Sequence, residues 1–241
     1  RIEATGAPNV GARPFRGGSR KANKMKHQQM YDKISELGVV PVIAIDSVED
    51  ALPLADALLE GGLPVAEITF RTQAAGKVMQ KIAAERPEMI VGAGTVLTPD
   101  QLAEAIDCGA KFAVAPGFNP AVVDEALTRN FPFAPGIMTP TDVEAALAKG
   151  LEVLKFFPAG AAGGVKLLKS LAGPYGHTGV KFIPTGGVSL DNLRDYLVLD
   201  AVLAVGGSWI AKRDMIAEKQ WQKITEAARG AVEEAARVRA N

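Results

Sequence analysis

The sequence predicts an α/β protein, a single-domain closed (β/α)₈ barrel entered through an N-terminal helix. Two patterns carry that expectation. Short apolar runs rich in Val, Ile and Phe recur eight times, at 39–45, 65–70, 90–95, 112–115, 133–135, 153–157, 181–184 and 202–205. They start roughly 20–28 residues apart, room for one crossover helix between parallel strands. Alanine- and leucine-rich stretches with helical spacing fill the gaps, for example 48–60 and 140–149. A doubly wound open sheet is the alternative, but no G-x-G-x-x-G follows the first run.

The elements are punctuated as this alternation requires. Thr98-Pro99, Asn119-Pro120 and Thr139-Pro140 each set a capping side chain before a proline at the first helical position. Ser47 with Asp50 resembles a capping box, and Ser189 before Asp191 reads the same way. Gly61, Gly109 and Gly150 are expected to end helices just before the next strand. The last stretch, 214–240, reads as one long helix or two shorter ones, with Ile216, Trp221, Ile224 and Val232 on its apolar side.

Composition bounds the function. The chain has 241 residues with 48% hydrophobic and 22% charged residues, ordinary values for a folded domain of this length. No apolar stretch approaches the ~20 residues of a membrane-spanning helix. One cysteine, Cys108, permits no intrachain disulfide and suits a reducing compartment. With only His27 and His177, no multi-histidine metal site exists within one chain, while the count leaves a carboxylate site for magnesium open. Cys108 reads as core and His177 as an exposed loop residue, neither catalytic.

Charge is unevenly spread. Residues 1–26 carry seven basic side chains against Glu3 alone, whereas the remainder holds 20 basic and 26 acidic residues. An acidic body gives no support for nucleic-acid binding. Residues 1–24 are rich in Gly and Pro without apolar periodicity and are expected to form a flexible basic arm, with the barrel domain spanning 25–241. The body suits a cytoplasmic protein. The arm matches either the remnant of an organelle transit peptide or a tail without function.

Two runs hold side chains that a barrel wall does not need. In Val65-Ala66-Glu67-Ile68-Thr69-Phe70-Arg71, strand alternation puts Glu67, Thr69 and Arg71 on one face and Ile68 and Phe70 on the other. The helix-facing side must be apolar, so Glu67, Thr69 and Arg71 face inward. The bland alternative is a buried Glu67–Arg71 ion pair. In the run from Val153 to Pro158, Lys155 shares a face with Val153 and Phe157. Desolvation disfavours its charged form, and a neutral amine attacks ketones to form a Schiff base. A lysine snorkelling from a strand edge is the alternative. Thr185-Gly186-Gly187 and Gly206-Gly207-Ser208 follow the last two runs, where barrels often bind phosphate on bare backbone N–H groups; tight turns demand glycine too. Gly92-Ala93-Gly94-Thr95 and Ala115-Pro116-Gly117 close the third and fourth runs, where site loops begin.

Gly62-Leu63-x-x-x-Glu67-Ile68-Thr69-Phe70-Arg71 and Gly150-x-x-x-Leu154-Lys155-Phe156-Phe157-Pro158-Ala159-x-x-x-Gly163 resemble the two signatures of the 2-keto-3-deoxy-6-phosphogluconate (KDPG) / 4-hydroxy-2-oxoglutarate aldolases. Val39-Val40-Pro41-Val42-Ile43, Gly92-Ala93-Gly94-Thr95-Val96, Pro184-Thr185-Gly186-Gly187 and Gly206-Gly207-Ser208-Trp209 look like further blocks in the same order, from about residue 30 onward. The resemblance implies a metal-independent class I aldolase on a (β/α)₈ barrel, usually a homotrimer, acting on a small phosphorylated 2-keto acid. It makes Lys155 the Schiff-base lysine and Glu67 the general acid/base. Arg71 and Thr95 would hold the pyruvate carboxylate beside Pro116, and Gly186, Gly187, Gly207 and Ser208 the phosphate. We place Phe157 and Thr185 in the same substrate pocket. The 4-hydroxy-2-oxoglutarate and phosphogalactonate reactions are alternatives within this chemistry, and a non-catalytic trimeric scaffold is the alternative outside it. Gly38 stands where many relatives carry a basic residue, a departure that weakens phosphate preference if that residue holds the substrate's tail.

Overall fold

The structure, a computed structural model, describes residues 17–240. Helix α1 (Gly17–Leu37) begins inside the segment assigned to the flexible arm. Lys21, Ala22, Lys24, Met25 and Lys26 are all good helix formers, which is why composition alone misjudged that boundary. The rest of the expected arm lies outside the described residues.

Strands and helices then alternate. Strands β1 (Val39–Ile43), β2 (Val65–Thr69), β3 (Ile90–Gly94) and β4 (Phe112–Val114) are separated by α2 (Ala51–Glu60), α3 (Ala75–Glu85) and α4 (Pro99–Asp107). Helix α5 (Pro120–Thr128) leads to β5 (Phe133–Ala134) and β6 (Gly136–Ile137). After α6 (Pro140–Ala148) and β7 (Val153–Phe156) come two helices, α7 (Ala159–Ala162) and α8 (Gly164–Tyr175). Strand β8 (Lys181–Pro184), helix α9 (Leu193–Leu197), strand β9 (Val205–Gly207) and helices α10 (Arg213–Ala217) and α11 (Trp221–Arg239) complete the chain.

All strand pairs are parallel. One sheet runs in the order β5-β4-β3-β2-β1-β9 and the other β6-β7-β8. Isolated parallel bridges, Phe182 to Val202 and Thr185 to Gly206, link β8 to the stretch around β9. The result is a curled, TIM-barrel-like parallel sheet clad in helices. Two of the eight expected runs are redrawn. The fifth is split at Pro135, which has no N–H to donate, although its carbonyl still accepts from the Lys155 N–H at 2.9 Å. The eighth forms its strand later, at Val205–Gly207, with Val202 held only by a bridge.

The caps divide by chemistry. Thr98, Asn119 and Thr139 cap α4, α5 and α6 through their side chains, each with proline at the start of the helix. Thr139 and Asp142 form a full capping box. Burial pushes the Asp142 carboxyl up, but hydrogen bonds from the Met138 and Thr139 N–H groups and the Thr139 hydroxyl leave it below the usual range. Ser47 and Ser189 do not cap. The Ser47 hydroxyl is bound to the Glu49 carboxylate, and α2 starts after Asp50 without a side-chain cap. Ser189 instead receives a turn made by Asn192, whose Oδ1 accepts from its N–H at 2.9 Å. Gly61, Gly109 and Gly150 all stand at helix ends as expected: Gly61 is the right-handed C-cap of α2, and its neighbour Gly62 at φ +77°, like Gly109 and Gly150, takes the left-handed conformation.

Gly61 has a second task. A Cβ there would lie 2.6 Å from the Ala228 Cβ and 2.7 Å from the Thr225 carbonyl, so the bare backbone lets α2 and α11 touch. The Thr225 hydroxyl donates to the Ala57 carbonyl at 3.0 Å across the same interface. The C-terminal stretch is thus two helices, and α11 buries Ile224, Ala228, Ala231, Ala235 and Val238, while Trp221 and Val232 are only half-buried. Small residues win on this face because the helices approach closely.

Helix α1 covers the end of the sheet where the strands begin. Ile34 is buried, and Tyr31 beside it lines a narrow interior cavity with Val40, Phe112 and Ile183. Burial pushes the Tyr31 phenol well above its ordinary value, and the Glu152 carboxylate adds to this. Among the described residues no helix is long and apolar enough to cross a membrane. Replacing Thr139 by Ala removes the α6 capping box and should cost about 1 kcal/mol, read as a lowered urea midpoint at unchanged m-value.

Candidate active site

Glu67 is central in β2 and Lys155 in β7, strands that are not neighbours in either sheet. Their side chains nevertheless meet, Lys155 Nζ donating to Glu67 Oε1 at 2.9 Å. Only a curled sheet brings these strands face to face across its interior. The residues are 3% and 5% exposed, so the ion pair sits in a dry setting where an unpaired charge is costly. Both earlier alternatives are thereby excluded: Lys155 does not snorkel to water, and Glu67 is paired with Lys155, not with Arg71.

Bare backbone makes room for the pair. A Cβ at Gly94, next to Thr69 in the β2–β3 register, would fall 2.2 Å from Glu67 Oε1. The Phe112 ring likewise occupies the space beside Gly92, 2.1 Å from where its Cβ would be. The inner wall of β3 is therefore hollow, and the Glu67 carboxylate and an aromatic ring fill it. On the other side the Phe157 ring lies under the ammonium, its centroid 5.9 Å from Lys155 Nζ, within reach of a cation–π attraction.

The remaining candidates follow strand ends on one rim, since parallel strands all finish at the same side. Arg71 lies two residues past β2, and its Nε donates to the Thr69 hydroxyl at 3.0 Å. That hydroxyl in turn donates to the Ile43 carbonyl at 2.7 Å and is buried. Arg71 itself is exposed, so its guanidinium is aimed and not neutralised. Thr95 follows β3 at φ +58°, a left-handed conformation that strains a β-branched residue and clusters at functional sites. Pro116 follows β4, and its carbonyl lies against Gly136 of β6, 2.1 Å from where a Cβ would be. Thr185 follows β8 and is buried against Gly206, where a Cβ would fall 2.2 Å from its hydroxyl.

Gly186 and Gly187 both have positive φ, +91° and +78°, turning the chain above β8. Gly186 abuts Phe157, 3.3 Å from ring to would-be Cβ, which connects this turn to the lysine's neighbourhood. Gly207 ends β9, and the exposed Ser208 follows it on the same rim.

Sequence reasoning passed over several positioning groups. Thr69 was read as inward-facing, but its hold on Arg71 depends on a bend past the strand end that alternation does not describe. The Asn192 amide donates to the Gly187 carbonyl at 3.0 Å and braces the glycine turn from five residues away. Asp46 and Arg213 make a two-pronged ion pair at 2.6 Å between the loop after β1 and the start of α10. A 167-residue separation left no local signal for it. Gly38, by contrast, lies before β1, at the opposite end of the sheet from this rim. Its lack of a basic side chain therefore does not bear on the groups at this rim. His177 is exposed, as expected, whereas Cys108, expected in the core, is only half-buried at the end of α4, against the core's edge.

Comparison with known proteins agrees with this geometry. The family model for KDPG and KHG aldolase matches residues 30–227. The 2-dehydro-3-deoxy-phosphogluconate aldolase of Haemophilus influenzae is 47% identical over 197 residues, 82% of this chain and 92% of that protein. The KHG/KDPG aldolase of Escherichia coli is 47% identical over 195 residues, covering 81% and 91%. The crystal structure of a KDPG aldolase from Legionella pneumophila, with pyruvate captured as a covalent carbinolamine, superposes with a TM-score of 0.80 at 39% identity, covering 83% and 97%.

Glu67→Leu leaves the Lys155 amine buried without its partner and should destabilise the fold by about 3–5 kcal/mol in urea unfolding. Replacing both, Glu67→Leu with Lys155→Met, should recover most of that loss, because two apolar side chains need no counter-charge. A double variant as unstable as the single one would show that the pair is not the unit.

Proposed function

Because this chain belongs to the KDPG and KHG aldolase family, we propose that it is a class I, Schiff-base-forming aldolase that cleaves 2-keto-3-deoxy-6-phosphogluconate to pyruvate and D-glyceraldehyde 3-phosphate. The observation that carries this reading is the buried 2.9 Å contact between Lys155 Nζ and Glu67 Oε1. It sets an amine and a base within proton-transfer distance of each other.

In this reading Glu67 takes a proton from the Lys155 ammonium, and the freed amine adds to the C2 ketone. Glu67 returns its proton to the carbinolamine hydroxyl, which leaves as water, and the resulting iminium draws electrons from the C3–C4 bond. Glu67, unloaded again, accepts the C4 hydroxyl proton directly or through one water. The C3–C4 bond breaks, the aldehyde departs, and an enamine of pyruvate remains on Lys155. Protonation at C3 restores the iminium, and water releases pyruvate and the amine. The proton Glu67 gained is the one C3 needs, so one carboxyl serves both half-reactions. No cofactor enters this sequence.

Arg71 would clamp the substrate carboxylate with its planar fork, held by Thr69, beside Thr95 and Pro116. Phe157 and Thr185 would line the pocket floor. Gly186, Gly187, Gly207 and Ser208 would receive the phosphate. The E. coli relative's name couples KHG and KDPG, so 4-hydroxy-2-oxoglutarate is the second substrate to assay. Phosphogalactonate is the third. We also infer that the sheet closes into a (β/α)₈ barrel. Strands β5 and β6 would act as two halves of one strand interrupted at Pro135, and the Phe182–Val202 and Thr185–Gly206 bridges span the remaining seam.

Incubation with pyruvate and sodium borohydride should add one reduced pyruvate to the native chain and none to Lys155→Ala, read by intact mass. An adduct on both, or on neither, would overturn the role of Lys155. Ser208→Ala should lower kcat/KM for phosphorylated substrates about tenfold, the worth of one hydrogen bond to a charged group, and leave 4-hydroxy-2-oxoglutarate unaffected.

A further inference from the structure

The end of the sheet opposite Lys155 carries a second concentration of charge-bearing groups. A cavity of about 730 Å³ opens there, within the size range of small-molecule sites. Its cationic side chains come from three separate elements: Lys181 opens β8, Arg194 is on α9 and Arg239 ends α11. One carboxylate, Asp200, shares the lining, so the cations outnumber it three to one. This is unusual in a body that from residue 27 onward holds 20 basic against 26 acidic residues. Leu197, Val198 and Leu203 give the cavity apolar surface as well.

Two of the cationic heads are held without being neutralised. Arg239 donates from Nη1 to the Ser35 hydroxyl at 3.0 Å and from Nη2 to the Leu203 carbonyl at 2.6 Å. Lys181 Nζ donates to the Asp200 backbone carbonyl at 2.6 Å. Neutral oxygens fix where these groups point and leave their charge intact. Among the described residues no ion pair is made by Lys181, Arg194 or Arg239. Partial burial of the Arg239 guanidinium lowers its pKa, the mark of a cation separated from water without a counter-ion. Gly38 packs beside it: at φ +72°, its would-be Cβ lies 2.7 Å from the Ala235 Cβ and at ordinary contact distance, 3.5 Å, from Arg239 Nε.

We propose that this cavity binds a small organic phosphate monoester, its dianionic head between Arg239, Lys181 and Arg194 and its apolar body against Leu197, Val198 and Leu203. Three donors converging from separate elements suit a phosphoryl group with three oxygens and close to two charges. The site is separate from the lysine rim, and it stands or falls independently of the aldolase reading.

Hydrogen–deuterium exchange of the full chain with phenyl phosphate tests it. The expected result is slowed exchange over 194–205 and 235–240. In the Arg194→Gln, Arg239→Gln double variant this protection should weaken at least tenfold in apparent affinity, with cleavage activity unchanged, since both residues line a cavity at the opposite end of the sheet from the lysine rim. Asp200→Asn should tighten binding, because it removes the one repelling carboxylate. Protection confined to the 185–187 and 206–208 turns would overturn the proposal. So would equal binding by the double variant, or no binding at all.

Discussion

The contact between Lys155 and Glu67 is the constraint on which the rest of the molecule turns. It spans the interior between strands that are far apart in sheet order, so it exists only if the sheet curls, and it then marks the middle of what the curl encloses. Such a pair is a poor source of stability. Desolvating two charges offsets most of their attraction, and an apolar pair of similar volume does as well or better. The surrounding core must therefore supply the stability, and it does so with the fully buried Ile43, Leu54, Ile68, Phe156 and Phe182 on the strands and on helix α2. In the proposed reaction the pair supplies reactivity instead, an amine and a base already in contact and shielded from water.

That arrangement divides the molecule by end. Where the strands begin, α1 presses Ile34 and Tyr31 into the interior, and α11 lies against α2 through alanines and a bare Gly61. Where the strands finish, the elements give way to glycine turns, a strained Thr95 and polar side chains braced by hydroxyls and amides. Strain and exposed donors are tolerable on that rim because the opposite end and the helical layer hold the frame. Arg71 illustrates the division. Its guanidinium is exposed, yet the buried Thr69 hydroxyl that orients it is anchored to the backbone of β1.

Much of this was legible in the chain. Period-two alternation put Glu67 and Lys155 inward, since an apolar helix-facing side leaves polar residues no other place. The Thr98, Asn119 and Thr139 caps were readable because a proline after each fixes where the helix can start. What escaped was decided by competition or distance. Ser47 had a local rival in Glu49, which takes its hydroxyl, while Ser189 is drawn into a turn through its backbone N–H on the Asn192 side chain. The break at Pro135 follows from one missing donor, but apolar patterning does not register donors. Which carboxylate Lys155 would meet depends on how 88 residues of chain fold back, and the alternative that paired Glu67 with Arg71 considered only near neighbours.

The emptiness of the β3 wall shows how closely fold and chemistry are coupled. Gly94 looks like an ordinary turn glycine when the sequence is read locally, at the end of Gly92-Ala93-Gly94-Thr95. In the structure any side chain there would occupy the position of Glu67 Oε1. A Cβ at 94 would push the carboxylate off Lys155, and the ammonium would then lose its ion-pair partner among the described residues, in a site that excludes water. The glycine is thus required by a charge two strands of argument away: the lysine needs the glutamate, the glutamate needs space, and only the absence of a side chain on β3 provides it. The same logic explains why this wall could not be filled with valine or isoleucine, as the interior of a purely structural parallel sheet would be.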